Sequence, residues 1–82
     1  MDRESAWRAL VEAVREETEN PDAVVEKGTS ANDIPGWDSL AHARIVMNLE
    51  ARTGAEIEIS DTYKAATVGD LFEIVMRRLS SR

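Results

Sequence analysis

The sequence predicts an all-α fold: a four-helix bundle with three main helices, one short third helix and a long first loop. Three observations carry this expectation. Apolar residues recur at helical spacing in three separate blocks. Proline and glycine signals separate the blocks. The one stretch that alternates like a strand, AEIEIS from Ala55, is too short and isolated to build a sheet alone.

Trp7, Leu10, Val11 and Val14 stand at i, i+3, i+4 and i+7, while Asp2 and Glu4 put negative charge where a helix dipole favours it. These predict a first helix over residues 3 to 18. Asn20-Pro21 stops it, because the residue before a proline is pushed out of the helical region, and Gly28, Pro35 and Gly36 keep the next stretch irregular. A loop over residues 19 to 37 is long for a compact domain unless it is functional or pinned, and Val24, Val25 and Ile34 are available as apolar pins. From Leu40 to Leu49 the apolar residues Leu40, Ala41, Ala43, Ile45, Val46, Met47 and Leu49 occupy more than one stripe, which predicts a central helix packed on several sides. Gly54 is a natural stop, and AEIEIS reads as an extended connector. Ser60 can cap a brief turn through Ala65, and Thr67 with Asp70 resembles a capping box for the last helix. Val68, Leu71, Phe72, Val75 and Leu79 form that helix's expected buried face; Arg77, Arg78 and Arg82 complement the dipole at its C-terminal end.

At 82 residues the chain is expected to be one domain, 1–82, with a core just large enough to fold without staples. Cysteine is absent, so no disulfide or thiolate metal site adds stability, and no protein thiol can act as a nucleophile. A net charge of −6 disfavours nucleic acid and anionic lipid as partners. The opening MDRESAWRAL lacks the apolar core of a signal peptide, and no segment approaches the roughly 20 apolar residues that span a bilayer, so a cytoplasmic, membrane-free protein is expected.

The stretch PGWDSLAH places Ser39 at the first turn of the central helix, where backbone N–H groups point outward and favour an anionic group. Asp38 or Ser39 could equally serve as a plain N-cap. A serine hydrolase is disfavoured: His42 shares a helical face with Ser39, yet no G-x-S-x-G elbow, orienting third group or oxyanion hole accompanies it. One histidine, no cysteine and no EF-hand spacing give no metal site, and no enzymatic activity is expected.

Gly36-Trp37-Asp38-Ser39-Leu40 followed by an apolar helix resembles the phosphopantetheine attachment motif of acyl carrier proteins and peptidyl carrier domains. The resemblance extends over nearly the whole chain through Leu49-Glu50, Gly54, Ile57-Glu58-Ile59 and Thr67-Val68-Gly69-Asp70-Leu71. It implies that a phosphopantetheinyl transferase moves the 4′-phosphopantetheine arm of coenzyme A onto Ser39. It further implies that the arm's thiol carries acyl or aminoacyl thioesters between a loading ligase and downstream transferases or synthases.

Beside Ser39, Gly36 belongs to the turn, Asp38 caps the helix or orients the loop, and Leu40 either anchors inward or meets partners. Trp37 is a loop plug or a partner contact, with packing preferred. His42, Arg44, Met47 and Glu50 are the candidates for partner recognition. Many fatty-acid carriers place acidic residues just after the motif. Here stand Ala41, His42, Arg44 and Arg52, with only Glu50 acidic, which implies a specialised partner set; a solvated face is the plainer account of Arg44 and Arg52. Val46, Met47, Ile57, Ile59 and Tyr63 could line an acyl-chain space, with ordinary core packing as the stronger reading. A monomer is expected. The alternative to a carrier is an unmodified helical adaptor that binds a protein through the second helix.

Overall fold

The computed structural model describes residues 1–80; Arg82, expected at the end of the last helix, lies outside the described residues. Four α-helices follow one another: α1 (Arg3–Glu17), α2 (Ser39–Thr53), the short α3 (Ile59–Thr62) and α4 (Val68–Ser80). A 3-10 turn, Ala31–Asp33, interrupts the long first loop.

The Asp2 carboxylate caps α1 by accepting from the Ser5 amide at 2.7 Å, and the helix buries Ala6, Ala9, Leu10, Ala13 and Val14. The capping box at α4 forms as its sequence suggests: the Thr67 amide donates to Asp70 Oδ2 at 3.2 Å, and the Asp70 amide donates to Thr67 Oγ1 at 3.1 Å. The α4 face of Val68, Leu71, Phe72 and Val75 closes the core, with Leu79 packed against its edge. Burying each such large side chain contributes about 1.5–3 kcal/mol.

Three expectations are corrected. The central helix packs along one broad face, Ala41, Ile45, Val46, Leu49 and Thr53, and not on several. Leu40 and Met47 stay 59% and 60% exposed, because α1 covers one side only and nothing covers the other among the described residues. The stop, by contrast, falls where the sequence places it: the helix runs to Thr53, and Gly54 at φ 74 ends it. Ser60 caps nothing: it lies inside α3, whose N-cap position is Glu58 with no side-chain bond, and the helix ends at Thr62. Of the three loop pins, Val25 and Ile34 are buried, but Val24 is 72% exposed.

Backbone bonds pin the loop where Val24 does not. Its start is held by the Asn20 amide on the Arg15 carbonyl at 2.9 Å, and by Arg15 Nε on the Ala23 carbonyl at 2.8 Å. Further on, the Thr29 and Lys27 carbonyls accept from the Val68 and Gly69 amides at 2.7 and 2.9 Å, satisfying donors at the open end of α4. Between α1 and α2, Arg52 reaches Glu12 at 2.8 Å and Glu16 at 2.7 Å. Arg52 is therefore a cross-helix clamp, although such exposed pairs each contribute little.

Candidate functional site

The turn before α2 is fixed from both sides. Ile34, 5% exposed, plugs into the core, and its carbonyl accepts from the Trp37 amide at 3.2 Å. Gly36 adopts φ +88, and a Cβ there would lie 2.9 Å from the Thr18 carbonyl oxygen at the end of α1. Only glycine meets both demands, the left-handed backbone and the close approach.

Asp38 follows in extended conformation and accepts from the Ala41 amide at 2.8 Å, so the capping role goes to Asp38 and leaves Ser39 as the first helical residue. Ser39 is exposed, and no hydrogen bond engages its hydroxyl among the described residues. Leu40 points outward at 59% exposure, which favours a contact surface over an inward anchor.

Trp37 is half-buried and packs on the core, as a loop plug should. Its indole N–H donates to His42 Nδ1 at 3.1 Å, and His42 Nε2 lies 2.7 Å from Thr62 Oγ1. An indole nitrogen only donates, so Nδ1 must accept and the ring proton sits on Nε2. That N–H then donates to Thr62 Oγ1, whose own hydroxyl donates to the Ile59 carbonyl at 2.6 Å. Tyr63 stacks on the imidazole with centroids 4.7 Å apart. Burial lowers the His42 pKa from the usual 6.5. With both nitrogens engaged, this ring cannot serve as a base for Ser39.

The four candidate recognition residues separate into two pairs. Arg44 and Met47 face solvent on the same side of α2 as Leu40. His42 is turned into the chain just described, and the Glu50 carboxylate accepts from the Ile57 amide at 3.1 Å, tying the extended connector to α2.

A cavity of about 210 Å³ opens beside Trp37, His42 and Thr62 and is floored by Val68 and Leu71. None of Val46, Met47, Ile57, Ile59 or Tyr63 lines it. Val46 and Ile57 are ordinary core, and the other three lie at the surface. Thr62 is the residue that sequence reasoning missed. Twenty positions separate it from His42, and no local pattern marks a lone threonine as its partner.

Neither a family model nor a curated protein matches the sequence. Among solved structures, the chain is similar to the solution NMR structure of a holo acyl carrier protein from Geobacter metallireducens. The TM-score is 0.79 and the identity 31%, covering 94% of this chain and 87% of that one.

Proposed function

Because the chain belongs to the acyl carrier protein family, we propose that it is a carrier, with residues 1–82 forming one domain that bears a 4′-phosphopantetheine arm on Ser39. It shuttles acyl or aminoacyl thioesters between cytoplasmic enzymes of a specialised biosynthetic route and catalyses nothing itself. The observation that carries this reading is the free, exposed Ser39 hydroxyl at the first turn of α2, on a turn that Ile34 and Gly36 hold still. An attachment point needs both properties, since other enzymes must find it on a firm element while the arm swings.

The residues present fit such a group. The open N-terminal end of α2 favours an anionic phosphodiester. The Asp38 carboxylate is already committed to the Ala41 amide, so it holds the helix start that presents Ser39. During loading by a phosphopantetheinyl transferase, Ser39 Oγ attacks the pantetheine-bearing phosphorus of coenzyme A. The phosphorus–oxygen bond to the adenosine half breaks, the adenosine bisphosphate leaves, and the serine proton passes to a base of the transferase. When bound, the arm supplies the thiol that forms the thioester. This chain holds no competing sulfhydryl.

The specialised assignment is supported by the outer side of α2, where Leu40, Arg44 and Met47 are exposed and no acidic stripe follows the motif. Such a face suits partners with apolar pockets and a carboxylate for Arg44. No helix among the described residues is long and apolar enough to cross a membrane.

Incubation with coenzyme A and a broad-range transferase, read by intact mass, tests the proposal. One added phosphopantetheinyl group is expected. An unchanged mass would overturn it and favour the unmodified adaptor.

A further inference from the structure

The hydrogen-bond chain beside the attachment turn runs in one direction: Trp37 Nε1–H to His42 Nδ1, His42 Nε2–H to Thr62 Oγ1, Thr62 hydroxyl to the Ile59 carbonyl. It joins the turn that presents Ser39 to α3, the element of the molecule with the least to hold it. At four residues, α3 is far too short to persist on its own helical propensity, and its N-cap position makes no side-chain bond.

We propose that His42 is a positioning residue for loading of Ser39 and acts as a proton-sensitive latch: neutral, it holds Trp37 and α3 together along the wall of the cavity; protonated, it releases Trp37. The direction of the chain requires this. An imidazolium has two N–H donors and no acceptor, so the indole N–H, 3.1 Å away, would face another donor. The bond to Thr62 survives protonation, whereas the bond to Trp37 does not.

The groups around the ring offer the cation little help. On the turn, the Asp38 carboxylate is bound to the Ala41 amide. On α3, Asp61 pairs with Lys64 at 3.6 Å, and the Tyr63 phenol ring lies flat on the imidazole. On α4, Val68 and Leu71 are apolar, and Asp70 belongs to the capping box. Burial, unopposed by a nearby carboxylate, disfavours the charged ring. The latch therefore stays closed near neutral pH and opens in acid, below the usual histidine value. Opening frees the indole two residues before Ser39 and loosens one wall of the cavity of about 210 Å³.

Two tryptophans make the experiment self-controlled, because Trp7 packs edge-on against Phe72 and has no histidine partner. In the unmodified chain, the indole N–H resonance of Trp37 should move between pH 7.5 and 4.5 with the midpoint of the His42 ring signals, below 6.5, while that of Trp7 stays put. In His42→Gln the amide oxygen can accept from Trp37 and its N–H₂ can donate to Thr62, without titrating, so the Trp37 signal should become flat. In Trp37→Phe the neutral ring loses its donor, and the His42 midpoint should rise. A Trp37 signal that stays still while His42 titrates, or that titrates unchanged in His42→Gln, overturns the latch.

The positioning role rests on Ser39 being the attachment point, and kinetics read it separately. His42→Ala should raise the transferase KM for the carrier about 3- to 10-fold, the range expected for one or two lost hydrogen bonds, with kcat within about twofold. His42→Gln should restore it. An unchanged KM in His42→Ala overturns the positioning role. If Ser39 is not loaded at all, the wild type fails in the kinetic assay while the resonance titration still reports the latch, so the two failures are distinguishable.

Discussion

Along α2, Ala41, Ile45, Leu49 and Thr53 are buried at steps of four residues, while Leu40 and Met47 on the same helix stand 59% and 60% exposed. The inner row is what folding demands: it faces α1 and the shared core, and losing any of its large members would leave a void in a close-packed interior. Folding asks nothing of the outer row. A single exposed apolar side chain is ordinary. Here two long ones flank an exposed arginine on the helix that Ser39 opens, with Ile59 at the start of α3 and Tyr63 just past its end also exposed. The difference teaches that one helix carries two messages, one to its own core and one to other proteins.

Substituting across the two rows breaks or sharpens that contrast. Leu49→Ala, at a fully buried position, should destabilise the chain by about 2–5 kcal/mol, whereas Met47→Ala should stay within about 0.5 kcal/mol. Urea melts of the pair measure both, and comparable losses would erase the distinction. Gly36→Ala comes next, since it forces a side chain into φ +88 and against the Thr18 carbonyl. A loss of about 1–3 kcal/mol is expected, and because the strain sits in the attachment turn, loading should slow even where the chain remains folded.

Acidification gives a smaller effect. The folded state holds the His42 pKa below the ordinary 6.5, so the unfolded chain takes up this proton first. The stability tied to His42 is full above about pH 6.5 and falls as the pH drops towards the folded value. His42→Gln should flatten that portion of a melting-temperature profile. Arg44→Glu belongs at the bottom of the stability scale, with a shift inside about 0.5 kcal/mol, but it should slow loading by the cognate ligase. An unchanged rate would return Arg44 to the role of a solvated charge.

Much of this was legible in the chain because it was local. The 3.6-residue spacing marked α1 and the buried face of α4, the Thr67–Asp70 pair marked a helix start, and the D-S-L motif marked the opening of α2. What escaped depended on partners distant in sequence. Ser60 looks like a cap because serines often are, but α3 already begins at Ile59, with Glu58 at the N-cap position. Val24 and Val25 are identical in type, and only the path of the loop decides which is buried. Met47 is apolar like its core neighbours and also a candidate for partner recognition, and only the absence of a covering element among the described residues leaves it on the outer face. His42 stands in the sequence only as a candidate for partner recognition, because Thr62, which holds it, lies 20 residues away.

Ser39 shares this chain with serines at positions 5, 30, 60, 80 and 81, and the arm is assigned to Ser39 alone. Mapping the modified chain by fragment masses after reaction with coenzyme A and a transferase tests that claim most directly. The phosphopantetheinyl mass should fall wholly in the fragment containing Ser39 and vanish in Ser39→Ala, with the fold intact by its melt. Modification at another serine, or full modification of Ser39→Ala, would contradict it.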